Sequence, residues 1–363
     1  MAEAAKKSID QATLEMIEKA VGDGCSTVFE RADAMKPCPI GSAGSCCRIC
    51  AMGPCRVPLQ KGKEETPEDK KKRRGVCGAT AETIGARNFV RMVAGGAAAH
   101  ADHGRTMVEI LKATAEGKAP GFSIKDEQKL LQLAMDLGVT IGERSNEEIA
   151  LDISNALMDQ YRQQDGELPF LKRAPLKRQE LWRREGVAPR GIDREVVELM
   201  HRTHMGVDQD YQNLLKQGVR TSLADGWGGS MIGTEIQDIL FGAPAPVAGQ
   251  INLGVLKEDQ VNIIVHGHEP QLAEMLAVVS QDPEMIKYAQ SKGAKGINLA
   301  GMCCTANEVL MRHGLPIAGN FLQQELAIVT GALEAMVVDV QCIMQAIGDV
   351  AQCYHTKIIT TNT

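Results

Sequence analysis

The apolar positions of this chain follow two periods, and the change between them divides the sequence into two parts. Over the first part, apolar residues recur at the three- and four-residue spacing of amphipathic helices. One such helix begins at a capping box formed by Ser145 and Glu148. Its apolar face consists of Ile149, Ile153, Leu157 and Tyr161. The period therefore predicts a mainly α-helical domain over residues 1–235.

Three further helices of this domain have recognisable ends. Ser8 and Gln11 form a second capping-box pattern, which predicts a helix start near the N-terminus. A long helix is predicted from Thr80 to Leu111, with a break at the pair Gly95–Gly96. Residues 193–205 form the third of these helices.

Beyond residue 235 the pattern changes to short apolar, β-branched runs. These runs lie at residues 261–265, 296–300, 336–340 and 357–360. Helical segments at 270–279 and 306–313 separate the first three. Alternating strands and helices predict a doubly wound, Rossmann-like parallel sheet, here over residues 236–363. The sequence ends just after the last run, so we expect this α/β domain to be incomplete at its C-terminal end.

Composition narrows the class of protein. The chain has 363 residues and a net charge of −6, which argues against a nucleic-acid partner. No segment has the pattern of a signal peptide or is apolar enough for membrane insertion. Eleven cysteines without a secretion signal indicate thiolate ligands in a reducing, cytoplasmic compartment rather than disulfides.

The cysteines are concentrated near the N-terminus. Six of them lie in a loop over residues 36–77, at Cys38, Cys46, Cys47, Cys50, Cys55 and Cys77. Thiolates two to four residues apart can reach one metal cluster from a single tight loop, and a short-spaced trio with one distant thiolate suits an iron–sulfur cluster. Cys25 and Cys353 lie outside the candidate ligands, and we expect both to be buried thiols.

A second group of candidate ligands follows three of the predicted strands. His268, Cys304 and Cys342 each come after a strand and are 36 and 38 residues apart. The carboxyl ends of parallel strands meet at one edge of a sheet, where helix N-termini stabilise anionic thiolates and sulfides. The three side chains are therefore expected to converge on a metal site.

Several longer segments resemble one enzyme family, the anaerobic nickel–iron carbon monoxide dehydrogenases. Besides the N-terminal cysteine pattern, these segments are RGVCGAT (74–80), AAHADH (98–103), DGWGGSM (225–231), HGHEP (266–270), CCTANE (303–308) and HTKIIT (355–360). The resemblance runs from about residue 30 to the last residue. It implies a prismane/CO-dehydrogenase-like fold. The hybrid-cluster hydroxylamine reductases share the general architecture but differ in their N-terminal cysteine spacing.

The resemblance also implies roles for the cysteines of the loop. Cys38 and Cys46 match ligands of an iron–sulfur cluster shared across a homodimer interface, to which each subunit contributes two thiolates. The type of this interface cluster stays open. The four ligands of a [4Fe–4S] cluster within the subunit are matched by Cys47, Cys50, Cys55 and Cys77.

By the same resemblance, His268, Cys304 and Cys342 match ligands of a nickel–iron–sulfur active cluster, with His266 and Cys303 as alternatives. The implied reaction converts CO and water to CO2, two protons and two electrons, in either direction. The electrons would pass through the iron–sulfur clusters to a ferredoxin-like acceptor, and no organic cofactor is implied. His100 and His103 match the start of a histidine proton relay, although two exposed helix histidines are an alternative interpretation.

In this family a second α/β domain follows and carries the remaining ligands. That domain is absent from this sequence, so we expect the chain to be a truncation, a split subunit or a fragment that is inactive alone. A separate C-terminal half or an acetyl-CoA synthase would then be a partner. Two alternatives stay open: a non-catalytic iron–sulfur module for electron transfer and dimerisation, and a hybrid-cluster hydroxylamine reductase.

Overall fold

The computed structural model describes residues 7–58 and 66–361, which divide into two compact units. The helical unit comprises Pro37–Leu240. The sheet unit combines the residues up to Lys36 with those from Phe241 onwards. Within the described residues, no helix is long and apolar enough to cross a membrane.

The α-helices, in chain order, are α1 (Gln11–Gly22), α2 (Val28–Ala34), α3 (Pro39–Ser42), α4 (Pro67–Lys72), α5 (Ala81–Ala115), α6 (Glu127–Leu137), α7 (Asn146–Arg162), α8 (Leu176–Arg184), α9 (Ile192–Arg202), α10 (Tyr211–Ala224), α11 (Ser230–Phe241), α12 (Pro270–Ser280), α13 (Pro283–Ser291), α14 (Cys303–His313), α15 (Gln324–Val329) and α16 (Ile347–Ala351). Short 3₁₀ helices cover Pro169–Arg173 and Leu253–Val255, and a π-helical turn covers Asp225–Gly229.

The strands are β1 (Cys46–Cys47), β2 (Cys55–Arg56), β3 (Val261–His266), β4 (Ile297–Met302), β5 (Ile317–Gly319), β6 (Ala335–Val338) and β7 (Lys357–Thr360). β1 and β2 form a small antiparallel ladder in the helical unit. β3 to β7 form a parallel sheet in the order β5-β4-β3-β6-β7. The predicted α/β class and all four predicted strands are confirmed, whereas the three-residue β5 was missed.

Helix α5 is the centre of the helical unit and packs against α7, α9 and α10. It runs unbroken for 35 residues, so the break predicted at Gly95 and Gly96 is wrong. Glycine within a helix costs about 1 kcal/mol relative to alanine. The burial of apolar residues on both sides of the pair, such as Val90 and Met107, outweighs that cost.

The two predicted capping boxes have different outcomes. At the start of α7 the Glu148 N–H donates to Ser145 Oγ at 3.2 Å, and the Ser145 N–H donates to Glu148 Oε2 at 3.0 Å, so this box is confirmed. At the start of α1 the cap is Asp10, whose Oδ2 accepts from the Thr13 N–H at 2.8 Å. The box predicted at Ser8 and Gln11 is therefore wrong, because an acidic cap two residues further on meets the first free N–H groups.

Helix α1 belongs to the sheet unit because its buried face completes the core beneath the sheet. Ile17 and Ala20 share one apolar cluster with Ile264 of β3 and Met336 of β6. The observed units thus differ from the expected domain ranges, 1–235 and 236–363, mainly at the N-terminus. A helical pattern alone does not reveal which core a helix joins.

Candidate metal centres

The order of the strands creates a crevice at the carboxyl edge of the sheet. The chain starts at the central strand β3, moves outward through β4 and β5, and then crosses to β6 and β7 on the other side. The loops after β3 and β6 therefore leave the sheet in opposite directions. In open parallel sheets, ligands bind at such a switch point. His268 and Cys342 lie in these two loops, and Cys304 lies in the first turn of α14, after β4.

A buried carboxylate joins the two loops at the switch point. Asp339 accepts hydrogen bonds from the His268 N–H at 2.7 Å, from the Glu269 N–H at 3.1 Å and from the Val340 N–H. A Cβ atom on Gly267 would lie 1.7 Å from Asp339 Oδ1, and Gly267 has a φ of +140°. Only glycine fits there. Burial raises the pKa of Asp339 to about 6, although the three N–H groups oppose this shift.

The backbone of this region is strained. Among the described residues, the non-glycine residues with positive φ are Cys303 (63°), Gln341 (62°) and Cys342 (56°). All three lie just after β4 or β6. Such conformations cost of order 1–3 kcal/mol each and concentrate at functional sites, where the surrounding structure enforces them. The strain points to this edge independently of residue chemistry.

Cys303, Cys304 and Cys342 line the same cavity of about 460 Å³. Burial raises the pKa of Cys303 to about 12, and the nearby Cys342 and Cys304 add to this shift. Burial likewise raises the pKa of Cys304, with further contributions from Cys342 and Glu308. Burial thus disfavours the thiolate forms of Cys303 and Cys304, and a bound metal supplies positive charge that favours them.

The two histidines after β3 have different surroundings. His266 is fully buried, and its Nε2 lies 3.2 Å from Gln324 Oε1. Burial lowers the pKa of His266 to about 4, so the ring is neutral. His268 lies two residues further along, in the loop that Asp339 holds. Both rings are therefore buried, and His266 has a hydrogen-bond partner within the core.

Gln324 is a buried connector that the sequence patterns did not reveal. Its Nε2 donates to the carbonyl oxygens of Phe321 at 2.6 Å and of Cys342 at 3.0 Å. Its Oε1 faces His266 and accepts from the Met344 N–H at 2.9 Å. One amide thus ties the end of β3 to both sides of the strained Cys342 turn. No local signal identifies it, because its partners are distant in sequence.

The cysteine loop of the helical unit is organised by the β1–β2 ladder. Cys47 pairs with Cys55, and Cys46 pairs with Arg56. Side chains alternate between the faces of a strand. Cys47 and Cys55 therefore share one face, and Cys46 points to the other. Cys47 is buried, and Cys46 is half-buried.

Four of the predicted ligands line one small, mostly apolar cavity: Cys47, Cys50, Cys55 and Cys77. The Val76 N–H donates to Cys55 Sγ at 3.4 Å. A Cβ atom on Gly75 would lie 3.6 Å from the same sulfur, so the backbone passes directly beside it. Four sulfur atoms around an apolar cavity, with a backbone N–H directed at one of them, suit an iron–sulfur cluster. The donor set fits the predicted [4Fe–4S] group.

The other cysteines lie apart from this cavity. Cys38 is exposed at the N-cap of α3, and the N–H groups of Gly41 and Ile40 lower the pKa of its thiol. Cys46 lies on the opposite face of β1 from Cys47. In the sheet unit, Cys25 is buried as expected, but Cys353 is exposed. The expectation for Cys353 is wrong because the residue lies in the turn between α16 and β7.

The two histidines of α5 are half-buried rather than exposed, and each has a polar neighbour. His100 Nδ1 lies 2.9 Å from Asp225 Oδ1, and this hydrogen bond raises the pKa of His100. His103 Nε2 lies 3.2 Å from Gln237 Nε2, so the amide donates to the ring. Neither histidine is fully exposed, and a role for them in proton transfer stays a prediction. Asp225 and Gln237 were missed because they lie more than a hundred residues away along the chain.

Glycines allow the backbone approach that brings Asp225 to His100. A Cβ atom on Gly104 of α5 would lie 2.5 Å from the Gly229 carbonyl oxygen. A Cβ atom on Gly229 would lie 2.8 Å from Ala101 Cα. The π-helical turn therefore packs its backbone directly on α5.

Within the part of the chain that the structure describes, no group of three or more His, Cys, Asp or Glu side chains is arranged to hold a metal ion.

Comparison with known proteins gives a consistent result. The model of the Prismane/CO dehydrogenase family matches residues 45–363. Carbon monoxide dehydrogenase 1 of Methanosarcina acetivorans is 54% identical over 359 residues, which are 98% of this chain and 56% of that protein. The carbon monoxide dehydrogenase/acetyl-CoA synthase subunit beta of Moorella thermoacetica is 45% identical over 98% of this chain and 52% of its own length.

Solved structures agree with these relatives. A nickel-free carbon monoxide dehydrogenase from Thermococcus sp. AM4 superposes with a TM-score of 0.93 at 52% identity. The superposition covers 99% of this chain and 56% of that one. The chain thus spans little more than half the length of the proteins it matches.

Proposed function

Because the chain belongs to the prismane/CO dehydrogenase family, we propose that the protein containing it converts CO and water to CO2, two protons and two electrons, reversibly. The observation that carries this proposal is the convergence of Cys304 and Cys342 on one cavity at the carboxyl edge of the sheet, beside the loop of His268. The chain covers 56% of a close relative, so the activity is proposed for the whole protein.

We propose that His268, Cys304 and Cys342 hold part of a nickel–iron–sulfur cluster. When bound, such a cluster supplies a metal site for CO, activation of water and storage for two electrons. The choice of His268 over His266 rests on the resemblance, since both histidines are buried after β3. The choice of Cys304 over Cys303 rests on the resemblance, since both line the cavity.

The chain's own residues hold these ligands in place. Asp339 holds the His268 loop through two backbone N–H groups. The side-chain amide of Gln324 donates to the Cys342 carbonyl oxygen and so holds the turn at Cys342. Such supporting hydrogen bonds orient the ligands of a metal and tune its properties. We assign Asp339 and Gln324 as positioning residues of the proposed centre.

The helical unit is proposed to carry the electrons. Cys47, Cys50, Cys55 and Cys77 would hold a [4Fe–4S] cluster in their shared cavity. Cys38 and Cys46 would contribute to an iron–sulfur cluster shared across a homodimer. A ferredoxin-like protein is the proposed acceptor, and an acetyl-CoA synthase or a separate C-terminal half is a further proposed partner. His100, with Asp225 beside it, and His103 are proposed to hold and pass protons.

The test is CO-dependent reduction of a viologen dye, with nickel and iron analysis, on the anaerobically purified protein that contains this chain. We expect activity and stoichiometric nickel. His268→Ala should lose nickel and reduce the rate at least about a hundredfold, which is about 2.7 kcal/mol. His204→Ala, an exposed histidine of the helical unit, is the matched control and should retain both.

Other results would support the alternatives. Iron without nickel, and no reaction with CO in the whole protein, would favour the electron-transfer module. Activity with hydroxylamine and none with CO would favour the hydroxylamine reductase. The 363-residue chain alone is predicted to be inactive with CO, because three protein ligands are too few for the full cluster. CO-dependent dye reduction by the metal-reconstituted chain would refute that prediction.

A further inference from the structure

Cys25 and Cys353 lie outside both candidate centres, yet the fold brings them together. Cys25 follows α1 and is only 3% exposed, whereas Cys353 follows α16 and is exposed. Tyr354, the residue after Cys353, packs in the same apolar cluster as Cys25, and Cys353 lies near enough to raise the pKa of the Cys25 thiol, although 328 residues separate the two in sequence. A buried thiol in contact with an exposed one is the arrangement of a resolving cysteine behind a reactive cysteine.

The residues on either side hold the two segments together. The Tyr354 hydroxyl donates to Asp23 Oδ2 at 2.6 Å. Lys19 Nζ lies 2.5 Å from the same carboxylate oxygen and 5.0 Å from the centre of the Tyr354 ring. Each cysteine therefore has an anchoring residue one or two positions away in the chain. Their contact belongs to a fixed junction rather than to two loose ends.

The two thiols differ in their access to solvent. Cys25 packs in the apolar cluster that contains Ala20 and Val350. Burial raises the pKa of Cys25 to about 12, with the nearby Cys353 as the next cause. Cys25 therefore stays a protonated thiol that solutes do not reach. A small oxidant from solution meets Cys353 first.

We propose that Cys25 and Cys353 form a reversible redox pair that closes to a disulfide when the protein meets a peroxide. The Cys353 thiolate attacks one peroxide oxygen, the O–O bond breaks, and a sulfenic acid forms at Cys353 as hydroxide leaves and is protonated to water. The Cys25 thiol then loses its proton and attacks the Cys353 sulfur. The S–O bond breaks, the S–S bond forms, and a second water leaves.

The overall reaction is balanced. Two thiols and one hydrogen peroxide give one disulfide and two waters. Each sulfur loses one electron, and the peroxide gains two. A thiol such as dithiothreitol reverses the step by exchange. The disulfide would join the end of α1 to the turn between α16 and β7.

The experiment treats the anaerobically purified, cluster-containing protein with one equivalent of hydrogen peroxide, then unfolds it in urea and alkylates the remaining thiols. Digestion with trypsin and Asp-N separates Cys25, in peptide 23–31, from every other cysteine, and Cys353, in peptide 349–357, likewise. We expect mass spectrometry to find these two peptides linked, with two hydrogens fewer than their sum. Dithiothreitol before alkylation should abolish the link.

Two variants sharpen the test. In Cys25→Ser, or Cys25→Ala if the first does not fold, Cys353 should stop at the sulfenic acid and be trapped by dimedone. In Cys353→Ser, peptide 23–31 should remain fully alkylated at Cys25. The proposal is overturned if wild-type Cys353 remains fully alkylated after peroxide. It is equally overturned if Cys353 is oxidised without a link to peptide 23–31.

Discussion

The two candidate centres are built in opposite ways. In the helical unit, the cavity cysteines Cys47, Cys50, Cys55 and Cys77 come from one stretch of chain, and a two-residue ladder places Cys47 and Cys55 on one face. In the sheet unit, His268, Cys304 and Cys342 follow the ends of three strands, β3, β4 and β6. The first centre depends on a local loop, whereas the second depends on the order and register of a whole sheet. The local centre should therefore fail by loss of a ligand, and the distributed centre by small changes in its support.

The largest expected effect is at the local centre. Cys55 pairs with Cys47 across the ladder, and its sulfur accepts a hydrogen bond from the Val76 N–H. Cys55→Ala removes this sulfur. We expect the iron content to fall by about four atoms per chain, because a cubane needs four thiolates. CO-dependent dye reduction should fall more than about a hundredfold, or about 2.7 kcal/mol.

The control for this prediction is Cys353→Ser, which removes an exposed cysteine of the sheet unit and should leave the iron content unchanged. The Cys55→Ala variant should retain nickel, since the substitution changes none of the proposed ligands of the nickel–iron–sulfur cluster. Loss of nickel together with iron would show that the two centres are not assembled independently, and would break the comparison.

A smaller effect is expected from a change in the support of the sheet centre. Gly267→Ala adds a Cβ atom 1.7 Å from Asp339 Oδ1, at a φ of +140°. Separating the β3 and β6 loops should lower the free energy of unfolding by about 3 kcal/mol and reduce nickel content. Urea unfolding and metal analysis measure the two effects.

Gly293→Ala is the matched control for Gly267→Ala. Its φ of +99° is also unfavourable for alanine, but its Cβ atom would meet nothing within 4 Å. We expect a loss of only about 1 kcal/mol and normal nickel content. Equal losses in the two variants would mean that backbone conformation alone, rather than contact with Asp339, makes Gly267 necessary.

The smallest predicted effect concerns His100. Asp225 raises the pKa of His100 above its ordinary value of 6.5. The pair therefore contributes stability that is fully present below the unfolded pKa and is lost as pH rises through the folded pKa. Asp225→Asn should remove this pH dependence. Because the His100 side chain is 43% exposed, the contribution should stay below about 1 kcal/mol.

Urea unfolding at several pH values on both sides of neutrality measures this effect. Asp102→Asn, which removes an 86% exposed carboxylate from the same helix, is the control and should leave the pH profile unchanged. A profile in Asp225→Asn identical to that of the wild type would contradict the assignment.

The same contrast explains how much could be predicted from sequence. The cysteine cavity is local, so spacing alone predicted an iron–sulfur loop, and the resemblance then singled out the four cysteines that line the cavity. Alternating strands and helices also predicted the parallel sheet, and with it the edge where His268, Cys304 and Cys342 lie. Local rules failed where tertiary packing outweighed them, as at Gly95 and Gly96 in the unbroken α5.

The supporting residues could not be predicted, because their signal lies in distant partners. Asp339 bonds a backbone 70 and 71 residues away, and Gln324 bonds His266 58 residues away. A buried Asp or Gln has no spacing pattern of its own. The strained φ angles of Cys303 and Cys342 were equally invisible, since neither residue is a glycine that marks such a turn.

The alternation of Cys46 and Cys47 on β1 has a consequence for electron flow. Consecutive Cα atoms are about 3.8 Å apart across a trans peptide, whatever the rest of the fold does. If these two thiolates hold different redox groups, the two attachment points are separated by a single peptide unit of fixed length. Thermal motion elsewhere in the protein would then change the distance for electron tunnelling between the two groups only slightly. Adjacent thiolates on opposite faces of one strand would therefore preserve the electron-transfer path while the surrounding protein moves.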